Sequence, residues 1–571
     1  MNLAFRNFSH AVPFLILILA RKGRPIIKTS MSYLQIISQP AIRALGLTIL
    51  LFLSGAFLFT PFFQTNDDVV MSWIVRGIGI VDHPSEFLIL VNVAVGITLK
   101  NLYGLAPHVP WYALGLFGMF FLSTWGLLGA FLQAPRSPWT LAFFAILGTT
   151  VFFHCFAWPQ YTVYCFLAAQ AGIFLLAHPV KPWGLSLPLS GALLFLATLT
   201  RLEPALFSMA LGGFYLFTVQ RGEMDPVLKK NRRVTLAVSA FLILSSVGFD
   251  QIYYHFHPGW PEARRYYEKR FSITEVKWAD YQKQKEAFQA VGWSENDYQL
   301  FREGFYYDKS FSLANLEKLD GLLSVDFRIK ASLLGLLSKN PLVQFLFLGL
   351  LMGMVRAALT RAPALGQSIW ILVLIVLLIT FNKIVARVLW PQLLFAGLVL
   401  CFLPQPPNTT KAKKEGRIIG MFLTILLGLA GWRNLSYDYA TNKPGPEVRK
   451  LIGENLKALA PRRDQLFIIG GSAFPFVGFP AFETDDTLRD FKFIWMWWLE
   501  KTPYTEARLA QFGIHDFLGD MVDRPDIFWL MNDQPPYFEN YLKEHEGKTV
   551  RRQKIFQGYF DIYRLVSEKP R

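Results

Sequence analysis

Residues 43–68 read RALGLTILLFLSGAFLFTPFFQTNDD, and this stretch decides the fold. It opens on a cation, Arg43, carries no further charge for about twenty residues, and closes on the adjacent carboxylates Asp67 and Asp68. A bilayer core about 30 Å thick needs about twenty mostly apolar residues in a helix. Residues 43–63 are therefore read as a membrane span. Basic flanks stay on the cytoplasmic side, so Arg43 marks the inner end and the Asp67-Asp68 pair the outer end.

The whole chain fits this beginning. It has 571 residues, a formal net charge of +16, 53% hydrophobic and 17% charged residues, and a mean hydropathy of +0.31. A soluble domain carries about 25% charged residues, and a disordered chain has low hydrophobicity and high charge; both classes are excluded. The Lys and Arg excess lies in short connectors between apolar runs, a pattern of membrane orientation that argues against nucleic-acid binding. Cys155, Cys165 and Cys401 all lie in apolar runs, with no disulfide framework and no zinc-ligand spacing.

Working outward from 43–63, further spans are expected at 87–105, 110–132, 138–156, 161–178, 184–200, 203–218, 234–251, 341–360, 366–381, 384–403 and 418–432. Basic connectors at Arg21 to Arg43, Lys229 to Arg233, Arg356 with Arg361, and Lys411 to Arg417 are placed inside. That leaves 64–86, 252–335 and 433–571 outside. Residues 1–42 read as a cytoplasmic or interfacial segment, because the apolar run Ala11 to Ala20 is too short to span and ends in Arg21-Lys22-Gly23-Arg24. Between the first two basic connectors the expected spans are odd in number. One of them must therefore fail to cross, and Thr200-Arg201-Leu202-Glu203-Pro204 is the expected break, since Pro204 interrupts a helix. The tail holds strand-like runs at Gln465 to Ile469, Ile527 to Met531 and Gly558 to Leu565. The expected fold is an all-α polytopic membrane protein of eleven or twelve transmembrane helices. Its membrane domain covers 43–432, and a small extracytoplasmic α/β domain covers 433–571.

Several residues have the chemistry of a site. Asp67 and Asp68 suit a general base, or a divalent cation such as Mg or Mn, and they equally suit the cap of a helix over Met71 to Ile80. Arg201 and Glu203 between apolar runs are either functional or an ion pair at a turn. Lys383 and Arg387, four apart, share one helical face and suit a phosphate or diphosphate; snorkelling to the interface is the plain alternative. Arg264 and Arg265 in the large outer loop suit a headgroup phosphate or an ordinary interfacial helix. His154 reads as a satisfied buried histidine. Trp158 and Tyr161 fit either a sugar-stacking platform or an interfacial aromatic belt. Ser294 with Asp297 reads as a capping box.

Asn66-Asp67-Asp68 after the first strong span, Arg201, the Lys383-to-Pro391 run, the long outer loop and the outer tail together resemble the GT-C superfamily of integral-membrane glycosyltransferases. That superfamily includes the protein mannosyltransferases and the aminoarabinose transferase of lipid A. The resemblance covers the architecture of nearly the whole chain. Many GT-C families carry Asp-Glu or Glu-Asp where this chain has Asp-Asp. The resemblance implies a sugar donor carried on a polyprenyl phosphate and presented at the outer face. It also implies Asp67 or Asp68 as the base, or as a holder of metal or acceptor, Lys383 and Arg387 on the lipid phosphate, and Arg201 as a weaker phosphate contact.

The expected function is transfer of the sugar to a lipid-borne or cell-envelope glycan acceptor. The expected setting is a bacterial inner membrane, with membrane lipids as the surroundings and no nucleic acid. A lipid-linked saccharide transporter or flippase is the alternative from another class, and an oligosaccharide polymerase or ligase is the alternative reaction. Transporters often carry paired repeats, and none is visible in this sequence.

Overall fold

The computed structural model describes residues 39–180, 186–219, 226–277, 279–324, 339–359, 369, 385–402, 410–471, 473–497, 499, 501–531 and 536–568. Its first helices are α1 (Pro40–Leu58), α2 (Asn66–Arg76), α3 (Val93–Leu105), α4 (Trp111–Leu132), α5 (Pro138–Ala157), α6 (Tyr161–Ala177), α7 (Ser186–Thr200), α8 (Leu202–Val219) and α9 (Pro226–His255). Of these, α1, α4, α5 and α9 are each long and apolar enough to cross a membrane. Apolar residues surround such helices on every side, which suits a lipid or bundle-core environment. The chain is an integral membrane protein.

The remaining elements are α10 (Trp260–Phe271), α11 (Lys285–Gln289), α12 (Glu295–Arg302), α13 (Leu313–Leu322), α14 (Pro341–Leu359), α15 (Ala386–Phe402), α16 (Thr410–Asn442) and α17 (Gly445–Leu459). The sheet region follows with β1 (Leu466–Gly470), β2 (Lys492–Met496), α18 (Pro503–Gln511), α19 (Phe517–Met521), β3 (Ile527–Leu530), α20 (Tyr537–Glu546), β4 (Val550–Phe556) and β5 (Ile562–Ser567). The expected span 366–381 lies outside the described residues apart from residue 369.

Side-chain contacts fix which end of the bundle each helix reaches. The start of α4 stands beside Asp68, through the Tyr112 hydroxyl. Its other end reaches the start of α1, where Trp125 Nε1 donates to the Ala41 carbonyl. Helix α6 starts at Asp68, through the Tyr161 amide, and ends at His178. Helix α7 returns, with Ser190 bonded to the Gly172 carbonyl and Leu199 near the Asp68 end. Helix α8 descends again, so that Tyr215 meets His178. Helix α9 begins at that far end, where Arg232 donates to the Ala177 carbonyl, and climbs back to Asp250.

This tracing corrects the expected break. Both α7 and α8 traverse the bundle, and they reverse at Arg201 alone, the one residue between them. The segment that does not cross is the expected span 87–105. Both ends of α3 stay at the Asp67 end: Asn92 donates to the Leu199 carbonyl, the Val93 amide donates to Asp250, and Tyr103 accepts from the Tyr112 amide. Lys100 is tied to Glu86 of the preceding loop at 2.8 Å. With α3 removed, α1, α4, α5, α6, α7 and α8 traverse, an even number, and the parity of the first half closes.

Every residue of α6 is buried, as is α15 from Leu389 onward. These two helices form the axis of the bundle, linked by Gln170 Nε2 donating to the Pro391 carbonyl at 2.8 Å. Helix α16 continues past the expected end at 432 to Asn442, which pairs with Thr60 at the Asp67 end.

The tail sheet has strand order β2-β1-β3-β5-β4, with β1 parallel to β2 and β3, and β5 antiparallel to β3 and β4. Strand alternation gives it two apolar faces. Phe467, Ile469, Phe493, Trp495, Phe528 and Leu530 join the core of the bundle and α2. Leu466, Ile468, Ile494, Met496, Ile527 and Trp529 join the core of the helices α10 to α13, with Trp293, Phe301 and Phe311. Loop and tail thus share one core instead of folding apart.

Candidate active site at the end of the bundle

Helix α2 begins at Asn66, and Thr65 is its extended N-cap residue. Asp67 and Asp68 therefore stand in the first turn and are not themselves the cap. Carboxylates are favoured there by the partial positive charge of the exposed amides. The Thr65 hydroxyl turns away from the helix amides and donates to Asp68 Oδ2 at 2.8 Å.

The two carboxylates have different surroundings. Asp68 is fully buried. Its Oδ1 accepts from the Tyr112 hydroxyl at 3.0 Å and from the Tyr161 amide at 3.1 Å. Loss of water pushes its pKa up to about 7; the Thr65 and Tyr112 hydrogen bonds hold it down, the Asp67 charge adds to the rise, and the Tyr161 amide opposes it. Asp68 thus fastens α2 to α4 and α6. Asp67 faces the cation of α15, with Oδ2 3.8 Å from Arg387 Nη1.

Arg201 arrives from the reversal between α7 and α8. Its Nη1 donates to the Tyr161 hydroxyl at 2.7 Å and to the Thr162 hydroxyl at 2.9 Å, and its guanidinium lies 5.4 Å from the centre of the Tyr161 ring. Glu203 is 3.7 Å away but 81% exposed, so its pairing is weak. The site is thus the Asp67 carboxylate facing the Arg387 guanidinium, with Arg201 held on Tyr161, the residue whose amide bonds Asp68.

Of the residues expected from the sequence, Asp67, Asp68, Arg201 and Arg387 are brought together. Lys383 lies outside the described residues. Arg264 pairs with Asp250 at 3.1 Å and covers the Tyr254 ring, which locks α10 onto α9. Arg265 pairs with Glu317 of α13 at 2.6 Å. These partners tie the two arginines to α9 and to α13. Tyr161 is fully buried and offers no face to a sugar. Its role as the link between Asp68 and Arg201 was not readable from spacing, because its partners lie far away in sequence. His154 is satisfied, as expected, by Asp438 at 3.0 Å. The Ser294–Asp297 capping box is present in both directions.

A divalent cation does not fit the Asp67-Asp68 pair as arranged. Both Asp68 oxygens are occupied by hydrogen-bond donors, and Asp67 faces a guanidinium; a hard cation needs several free oxygens. Among the described residues, a set of groups close enough to share an ion occurs at Asp297, Glu544 and His545, between α12 and α20. There Asp297 already accepts from the Ser294 amide and contacts His545.

No protein-family model matches the chain, and no curated protein matches its sequence. Among solved structures it is similar to ArnT from Cupriavidus metallidurans, in the apo state (14% identity, TM-score 0.37) and bound to undecaprenyl phosphate (13% identity, TM-score 0.35). Each likeness covers 92% of this chain and 97% of that one. A likeness this distant transfers no residue role and no substrate.

Proposed function

We propose that the protein is a membrane glycosyltransferase that moves a sugar from a polyprenyl-phosphate carrier to a hydroxyl of a lipid-borne or envelope glycan. The observation that carries this reading is the Asp67 carboxylate 3.8 Å from Arg387, with Arg201 bonded to Tyr161, whose amide holds the neighbouring Asp68. Lys229, Lys230, Arg232 and Arg233 open α9 at the opposite end, which favours that end as cytoplasmic and the Asp67 end as outer.

The chemistry follows from charge. The acceptor oxygen attacks the anomeric carbon from the face opposite the phosphate, and the bond from that carbon to the phosphate oxygen breaks. The acceptor proton passes to Asp67, and the electron pair of the broken bond leaves on the lipid phosphate. That phosphate gains negative charge as the bond opens, so Arg387 and Arg201 stabilise the transition state more than the bound donor. A single inverting displacement needs one base and no covalent intermediate. Asp68, fully buried and held by three donors, is a structural partner of this base.

The test uses protein in nanodiscs with labelled polyprenyl-phosphate sugars. Wild type releases polyprenyl phosphate, and Asp67→Asn and Arg387→Ala release at least about 100-fold less. Donor binding without turnover on any sugar or acceptor, with no loss in the variants, would overturn the reading and favour transport.

A further inference from the structure

The tail holds the helix that carries Asp67, and this fastening suggests what the tail is for. Helix α2 has 11 residues, and isolated helices shorter than about 12–15 residues are marginal in water. Its position must come from what grips it. At its first turn the grip is Asp68, bonded to Thr65, Tyr112 and Tyr161. A helix pinned near one point can still tilt and roll about that point. Roll matters here, because Asp67 lies about 100° round the axis from Asp68 and its contact with Arg387 is 3.8 Å.

The second grip is supplied largely by the tail, beside packing against α3 and a hydrogen bond from the Ser85 amide to the Ile74 carbonyl. Trp73 is enclosed by Phe474, Phe476, Phe479 and Phe493, with ring centres 5.2–6.3 Å away. Arg76 reaches Asp486 at 2.9 Å and donates to the carbonyls of Glu483 and Asp485. Beyond the helix, Gly79 accepts from the Phe493 amide of β2 at 3.1 Å, and its φ of +68°, with the Phe493 ring 2.9 Å from where a Cβ would stand, favours glycine. Asp82 is held by Lys492 and Arg508. The β2 strand is an edge of the sheet, and residue 79 covers its free side.

We propose that the tail segment Phe474 to Phe493 is a positioning clamp for the carboxylate helix, and that Trp73 and Arg76 are the positioning residues through which it sets Asp67 against Arg387. This rests on the reading of Asp67 as the base. It gives the sheet domain a part in the reaction without any contact with substrate.

The experiment compares full-length wild type with Trp73→Ala, Trp73→Phe and Asp486→Asn in nanodiscs. Two readouts are taken: hydrogen–deuterium exchange in 66–76 with 161–177 as internal reference, and kcat and KM for polyprenyl phosphate release. Trp73→Ala and Asp486→Asn are expected to speed exchange in 66–76 by about 10-fold or more, leaving 161–177 unchanged. They lower kcat by about 10- to 100-fold, the scale of a misplacement near 1 Å, with KM for the donor within about 2-fold. Trp73→Phe restores both readouts. Exchange in 66–76 unaffected by either substitution overturns the clamp, as does faster exchange with an unchanged kcat. Should Trp73→Ala misfold, Asp486→Asn, at a partly exposed tail position, decides alone. Failure of the base assignment is separate: an active Asp67→Asn refutes it, and exchange still decides whether the tail fixes α2.

Discussion

Replacing Asp68 with Asn tests whether this carboxyl is an anchor. Asp68 is completely buried on the short helix α2, which does not span, and its pKa rises from 3.8 to about 7. The folded state therefore holds a proton that the unfolded chain releases near pH 4. Stability on this account is greatest at low pH, falls as pH rises from about 4 to about 7, and then levels off. The rise of about three units, at about 1.36 kcal/mol each, corresponds to about 4 kcal/mol lost across that window. The amide introduced by Asp68→Asn cannot ionise, so the variant avoids the loss. Its side-chain carbonyl still accepts from Tyr112 and Tyr161, and the Thr65 hydroxyl can turn to accept from its NH2 group. Thermal unfolding in detergent, followed by tryptophan fluorescence at pH 5, 6, 7 and 8, is the assay. The wild-type midpoint should fall with pH relative to Asp68→Asn, the gap widening to about pH 8. A gap independent of pH, or Asp68→Asn less stable than wild type at pH 8, refutes the account of Asp68 as a buried, protonatable anchor.

Three further outcomes follow from the geometry. Asp67→Asn should lower kcat by about 10²- to 10⁴-fold while donor binding holds, and Asp68→Asn should retain most of the turnover; release of polyprenyl phosphate separates them. Arg201→Ala and Arg387→Ala should each weaken donor binding by about 10- to 100-fold, the range of a lost charge-assisted bond, with Lys a poor replacement at either position; binding of labelled donor to nanodiscs measures it. A cysteine at exposed Leu105 should react with a membrane-impermeant thiol reagent from the same side as one at exposed Tyr559 in the tail, because α3 does not cross; labelling from the opposite side would restore 87–105 as a span.

The parts of this protein that were legible in advance are those governed by apolar run length and local chemistry. Each expected span apart from 366–381 holds a helix among its described residues, because about twenty apolar residues in succession have few other outcomes. Leu466–Gly470, Ile527–Leu530 and Ile562–Ser567 were readable as strands from short apolar runs. Lys492–Met496 was not singled out, although its run is apolar. Val550–Phe556 was missed because it is a mostly exposed edge strand with Arg, Arg, Gln and Lys in succession, so it has no apolar signal. Its pairing with β5 is what makes it a strand.

The candidate site divides in the same way. Asp67, Asp68, Arg201 and Arg387 stood out because charge is costly at the edge of apolar runs. Arg264 and Arg265 stood out as basic residues beside tyrosines in the large loop; Asp250 and Glu317 pair with them, and no local pattern announces partners so distant in sequence. The buried Tyr161 gave no charge signal, and its function as a link depends on α6 starting beside both Asp68 and Arg201.

The sequence by itself determined that the chain enters a membrane, roughly where its helices lie, and which charges stand at their ends. Those are consequences of transfer free energy, which acts residue by residue along a run. Only the tertiary structure decided that α3 stays on one side, that the chain reverses at Arg201, and that Asp68 is a buried anchor while Asp67 faces Arg387. Tertiary packing also decided that the tail grips the carboxylate helix through Trp73 and Arg76. Each of these depends on which distant groups satisfy a buried polar atom or enclose a ring, and that pairing is a property of the packed fold.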